Sequence, residues 1–179
     1  MPDTTPADVL PTQRLRHALA SLEQARTTRR PWAMVEASRE AARAHLEVGA
    51  LDSAVALMEL ALRWSLAISS VDARTDLLCE WAELLAAQSD LLEREARGRG
   101  RPARERARDA IFEAGQLAAR VADPRWEVTV LLRLSDVLDR FGDRDDATLL
   151  QMRALQLTVG YCPGPGAPRA QDAEMRHRN

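Results

Sequence analysis

Apolar residues recur at three- and four-residue spacing along most of this 179-residue chain. Near the N-terminus, Leu15, Ala18, Leu22 and Ala25 would share one face of a helix but would scatter over both faces of a strand. Between residues 12 and 159, β-branched residues are sparse and polar and apolar positions do not alternate. The pattern therefore predicts an all-α fold.

Glycine and proline separate the periodic segments and divide them into seven predicted helices. Pro31 opens the second helix, where its missing N–H is harmless, and Gly49 and Gly142 follow helix ends, where a left-handed residue is favoured. The predicted helices cover residues 12–28, 31–48, 51–68, 71–94, 103–122, 125–140 and 143–158. In the fourth helix, the apolar stripe from Leu77 to Leu91 is expected to be buried.

The two ends of the chain differ from this helical region. Residues 1–11 and 160–179 are rich in proline, glycine or polar residues, and they offer too little apolar surface to form a core. We expect both ends to be disordered. The expected organisation is one helical domain at residues 12–159, interrupted by a basic inter-helix loop at 97–103.

Two segments share a pattern of glycine and small residues at equal spacing. The matching residues are Gly49, Ala54 and Ala61 in one segment and Gly142, Ala147 and Ala154 in the other. A looser copy contains Ala107 and Ala114. Small residues at one level of each helix let two antiparallel helices approach closely, while large residues fill the gaps on either side.

This pattern resembles the tetratricopeptide repeat over residues 31–159, with lengthened repeats of the kind found in bacterial regulatory proteins. The resemblance implies antiparallel helical hairpins stacked as a short right-handed superhelix, after one extra N-terminal helix. It also implies a concave groove, lined by the first helix of each hairpin, that holds a peptide or helix of a partner protein.

Mixed charges occupy the outward positions of these first helices. The predicted groove residues are Arg39, Arg43, Glu80, Glu83, Arg133 and Asp136, and Cys79 is also placed outward. Mixed charges at helical spacing are more often a solvated helix face than a binding groove. The Lys/Asn set that clamps a C-terminal carboxylate in chaperone-binding members of the family is absent, so that partner is not expected.

The overall charge of the chain is nearly balanced, with 25 basic and 27 acidic residues and a formal net charge of -2. No whole-chain field therefore attracts nucleic acid or a membrane surface. The one local excess is the arginine-rich segment 94–108, in which the candidate anion-binding residues are Arg97, Arg99, Arg101, Arg104 and Arg108. This segment is either a solvated loop or a contact for nucleic acid or an acidic protein.

The sequence contains no arrangement of residues typical of an enzyme. The three histidines, His17, His45 and His177, lack the spacing of a metal site, and no phosphate-binding loop precedes a helix. Cys79 and Cys162 form no disulfide framework, and a thiol among the apolar residues of a helix, as at Cys79, is usually a small hydrophobic residue. We expect a non-enzymatic protein without metal or cofactor, located in the cytoplasm, because no signal peptide or membrane span is recognisable.

The last predicted helix is apolar nearly all round. Its candidate self-association residues are Leu149, Met152, Leu155 and Val159. An uncapped end of a helical stack must be covered, and a two-fold homodimer covers it without leaving another apolar surface exposed. The alternative is that the C-terminal residues fold back over it. The sequence thus predicts a protein-interaction module that binds a protein or peptide partner as a homodimer.

Overall fold

A computed structural model describes residues 11–160, and this part of the chain contains seven α-helices and no strand. The all-α prediction is confirmed. The expectations for residues 1–10 and 161–179 lie outside the described residues, whereas Pro11 and Gly160 belong to helices. The helices are α1 (Pro11–Thr28), α2 (Pro31–Glu47), α3 (Leu51–Ser65), α4 (Val71–Glu95), α5 (Arg101–Ala118), α6 (Pro124–Phe141) and α7 (Arg144–Gly160).

Local sequence signals account for most of the helix ends. The Asp123 carboxylate accepts hydrogen bonds from two backbone N–H groups in the first turn of α6, and the Ser70 hydroxyl accepts one at the start of α4. Gly142 ends α6 with a φ of 78°, the left-handed conformation that glycine adopts without strain. The main differences from the predicted bounds are that α3 ends at Ser65, three residues early, and that α5 ends at Ala118, four residues early.

The loop between α4 and α5 is shorter than the predicted basic loop at 97–103, because α5 already begins at Arg101. The Glu93 carboxylate accepts hydrogen bonds from the N–H of Gly98 at 2.9 Å and of Gly100 at 3.3 Å, and these bonds lower the pKa of Glu93. Gly100 lies against Ser89 of α4. The segment is therefore a tight turn fastened to the end of α4.

The helices pack as successive hairpins. Within each hairpin, α2 packs on α3, α4 on α5 and α6 on α7; between hairpins, α4 contacts α3 and α6, and α5 contacts α6. At the two ends of the described helices, the backbone of α1 lies against α2 and that of α7 against α6. The result is a repeat-like stack of three hairpins preceded by one helix.

Small residues lie where the two helices of each hairpin meet. All six of them are buried: Ala54, Ala61, Ala107, Ala114, Ala147 and Ala154. Large side chains such as Met58, Leu85 and Leu134 fill the space beside them and belong to one apolar core that runs through all three hairpins. Close helix approach at alanine, with large residues around it, is how this alanine-rich chain packs densely.

Candidate partner-binding groove

The structure brings three of the predicted groove charges into direct contact. Arg39 on α2 donates hydrogen bonds of 3.0 and 3.1 Å from Nε to the Glu80 carboxylate on α4, and its Nη2 also bonds this carboxylate. Arg43 donates a further bond of 2.8 Å to the same group. Burial alone would raise the pKa of Glu80, but the two arginines outweigh it and hold this pKa below its usual value.

A second cluster of predicted charges joins α4 to α6. Arg133 donates hydrogen bonds of 2.8 and 3.0 Å to Oε1 of Glu83, and its guanidinium also lies 3.9 Å from Asp76. Asp136 is exposed, and the ion pairs found among the described residues do not include it. Five of the six predicted charges therefore bridge neighbouring hairpins, and Asp136 stands apart.

Two adjoining clefts lie along α4; the first is lined by residues of both bridges, and the second lies beside it toward the end of α4. The first, of about 350 Å³, is lined by Ala42, Arg43, Leu46, Met58, Glu80, Glu83, Leu84, Ala87 and Arg133. The second, of about 340 Å³, is lined by Leu46, Gly49, Leu51, Ala87, Asp90, Leu91, Arg94 and Arg140. Because both contain Leu46 and Ala87, they form one continuous depression, which we call the α2–α4 groove.

The floor of the α2–α4 groove is apolar and its rim is charged. Leu46 of α2 is 46% exposed and Leu91 of α4 is 44% exposed. Leu84 and Ala87 of α4 also line the groove. The prediction that Leu91 is buried is wrong. At this level the side of α4 that carries Leu91 faces the turn between α2 and α3, so Leu91 borders the open groove.

Cys79 does not face outward as predicted and is instead buried in the core. The reason is that α4 is packed by α3, α5 and α6, so little of its middle part remains exposed. Burial raises the pKa of the Cys79 thiol to about 12, which keeps it protonated. This position agrees with the other expectation for Cys79, that of a small hydrophobic residue within a helix.

The candidate anion-binding arginines are largely engaged within the chain. Their ion pairs are Arg99 with Glu95, Arg101 with Glu105, and Arg108 with Asp143. Arg104 lies over the ring of Phe141, 5.1 Å from its centre, and Arg97 is exposed. Since Arg108 is two turns into α5 and bonded to the α6–α7 connection, the five arginines do not converge on one point.

The candidate self-association residues share one side of α7, and all four are exposed: Leu149, Met152, Leu155 and Val159.

Between residues 11 and 160, no group of three His, Cys, Asp or Glu side chains is placed to hold a metal ion. None of the seven helices in this range has the length and hydropathy that crossing a bilayer requires.

Comparison with known proteins gives little beyond this geometry. No protein-family model matches the chain, and no curated protein matches it. Among solved structures, BtubC (BKLC) from P. vanneervenii is similar over 90% of this chain and 96% of that one, at 14% sequence identity and a TM-score of 0.32. A similarity this distant supports no conclusion about function.

Proposed function

We propose that this chain is a protein-interaction module that holds an amphipathic segment of a partner protein in the α2–α4 groove. The observation that carries the proposal is the continuous apolar floor, on which Leu46 and Leu91 are each nearly half exposed between charged side chains. Apolar grooves with charged rims are a recurrent way to bind a helix or peptide.

The form of the groove favours apolar side chains that point inward from one face of the ligand. Its floor is formed by leucine, methionine and alanine, while Glu83 and Arg133 stand at one end and Asp90 and Arg140 at the other. Such a rim can pair with charges of either sign on the flanks of a bound segment. An amphipathic helix or peptide therefore fits the groove better than a uniformly charged one.

The three hairpins are further proposed to be tetratricopeptide-like repeats. Support comes from the small residues that the sequence pattern singled out: each second helix carries a buried pair seven residues apart, namely Ala54 and Ala61, Ala107 and Ala114, and Ala147 and Ala154. In the first helices, Ala82 and Ser135 are buried at the corresponding small positions of α4 and α6. In such stacks the first helices line the concave surface, where α2 and α4 form the groove.

A random peptide library displayed on phage tests the groove even though the partner is unidentified. Peptides are selected on the wild-type protein and depleted on a Leu91→Glu variant, which places a charge on the floor. We expect the retained peptides to carry apolar residues at helical or alternating spacing, and to bind Leu91→Glu at least about tenfold more weakly in fluorescence polarisation.

The matched control is Phe112→Glu. Phe112 is an exposed apolar residue on α5 that lines neither cleft, so the same change there should leave the affinity of the selected peptides unaltered. The melting temperatures of both variants should stay close to that of the wild type, since Phe112 is 70% exposed and Leu91 is nearly half exposed. If no peptide survives the depletion, or if all of them bind Leu91→Glu as tightly as the wild type, the groove is not the binding site.

A further inference from the structure

The helix α7 has an apolar face that no described helix covers. Its inward residues, Ala147 and Ala154, are buried against α6. On the opposite side lie four large apolar side chains with more than half of their surface exposed: Leu149 (63%), Met152 (53%), Leu155 (63%) and Val159 (65%). We call these four residues the α7 face.

The apolar surface extends beyond α7 onto the neighbouring helix. Gln151 of α7 donates a hydrogen bond of 3.5 Å to Asp139 of α6, which fixes the side on which the two antiparallel helices meet. Leu132 lies two turns before Asp139 on the same side of α6 and is 46% exposed. It therefore adds to the α7 face on the flank that carries Leu155.

We propose that the α7 face joins two copies of this chain, with the two α7 helices antiparallel and Met152 at the two-fold axis. A two-fold contact needs a surface that matches itself, so that each residue meets its mirror position in the other copy. Leu149 and Leu155 lie three residues on either side of Met152, and Thr148 and Gln156 lie four residues on either side. Leucine then meets leucine and Thr148 meets Gln156, while Val159, at the edge of the contact, lies opposite Asp145.

The available area is enough for a small but specific dimer. Each of the four side chains has 53–65% of its surface exposed and therefore presents roughly 60–100 Å² of apolar surface. With Leu132 and the flanking polar residues, about 500 Å² per copy would be buried, or about 1,000 Å² in total, which is the lower limit for a specific interface. We expect an interface of this size to form a reversible dimer.

This inference is independent of the proposed function, because α7 lines neither cleft of the α2–α4 groove. The loss of peptide affinity in the Leu91→Glu variant and the association of two chains through the α7 face are therefore separate measurements. Failure of one proposal leaves the other standing.

Sedimentation velocity over a wide concentration range tests the association. We expect the full chain to form a dimer, and a Leu149→Arg, Leu155→Arg double variant to dimerise at least about 100-fold more weakly, because like charges would face each other across the axis. Phe112→Arg, the same kind of change on an exposed residue of α5, is the control and should dimerise as the wild type does. A monomeric wild type, or a double variant that dimerises normally, would overturn the proposal.

Cysteine cross-linking tests the antiparallel arrangement. In a Cys162→Ser background, a short bis-maleimide should link the cysteine of Met152→Cys in one chain to the same cysteine in the other chain. Facing helices lie about 8–10 Å apart, which such a linker can span. A mixture of Leu149→Cys and Leu155→Cys chains should link mainly to each other. Predominant linking of each chain to itself would indicate a parallel pair, which contradicts the proposal.

The chain's own C-terminal residues are the competing occupant of the α7 face. If they covered it, the wild type would be monomeric, and a full-length Tyr161→Ser, Met175→Ser variant would dimerise. That combination would overturn the proposal in favour of an intramolecular cover. The proposal expects this variant to dimerise to the same extent as the wild type.

Discussion

Replacing Glu80 with glutamine tests whether the bridge between α2 and α4 contributes to stability. Glu80→Gln keeps the shape of the side chain but removes the charge that both arginines contact. The largely buried bonds from Arg39 are of the charged kind, for which we take about 1.5 kcal/mol, the lower end of the usual range. The pair with the half-exposed Arg43 adds about 0.5 kcal/mol.

The expected total loss is therefore about 2 kcal/mol in the free energy of unfolding, or roughly 4–8 °C in melting temperature for a domain of this size. Urea titration followed by circular dichroism and by tryptophan fluorescence measures it, and coincident transitions would justify a two-state analysis. A double-mutant cycle with Arg39→Gln should give a coupling energy of about 1 kcal/mol or more.

Glu40→Gln is the matched control for this experiment. Glu40 is exposed on the same helix as Arg39, and the ion pairs formed within residues 11–160 do not include it. Its replacement should change the free energy of unfolding by less than about 0.5 kcal/mol. If Glu80→Gln had an equally small effect, or if its coupling to Arg39 were zero, the bridge would not hold the first two hairpins together.

The same variant makes a prediction about pH. The pKa of Glu80 is lower in the folded chain than its ordinary value of 4.5, so its contribution is fully present above that value and is lost as the pH falls through the folded-state pKa. The difference in stability between the wild type and Glu80→Gln should be constant near neutral pH and shrink below about pH 4.5. A difference that grew on acidification would contradict the assignment.

Two further predictions concern buried positions. A Cβ added at Gly100 would clash with the backbone oxygen of Ser89, so Gly100→Ala should destabilise the fold by about 1–3 kcal/mol in urea titration. Gly115→Ala, whose nearest added contact is 3.9 Å away, should be neutral or stabilising by up to about 1 kcal/mol. Equal effects of the two changes would contradict the tight α4–α5 turn. In a Cys162→Ser background, the Cys79 thiol should react with Ellman's reagent only after denaturation, because it is buried and its pKa is raised to about 12; rapid reaction of the folded protein would disprove this burial.

Most of the helices could be predicted from local signals. Proline at residues 31 and 124 and glycine at 49 and 142 act within one turn of chain, so their effect on a helix end does not depend on the rest of the fold. The exposure of Leu91 could not be predicted in this way. It depends on which part of a neighbouring hairpin lies beside the last turns of α4, and helical periodicity does not contain that information.

The candidate site was predicted in part. Counting positions on the first helix of each hairpin identified Arg43, Glu80, Glu83 and Arg133, all of which line the groove. The bonds between them could not be predicted, because the paired residues are 37 to 50 positions apart and meet only when the hairpins stack. The apolar floor was missed for a similar reason, since Leu46 is an ordinary apolar residue of a helix until the groove is seen.

The bonds among the groove charges determine what kind of partner could bind. Arg43 and Arg133 already have carboxylate partners on α4, so a charged ligand would gain only the difference between a new pair and the one it replaces. Such an exchange contributes little net free energy at a surface. Leu46 and Leu91, in contrast, have no comparable contact to give up when a ligand covers them. Affinity for a partner should therefore come from the apolar floor, while the charged rim favours one orientation of the bound segment.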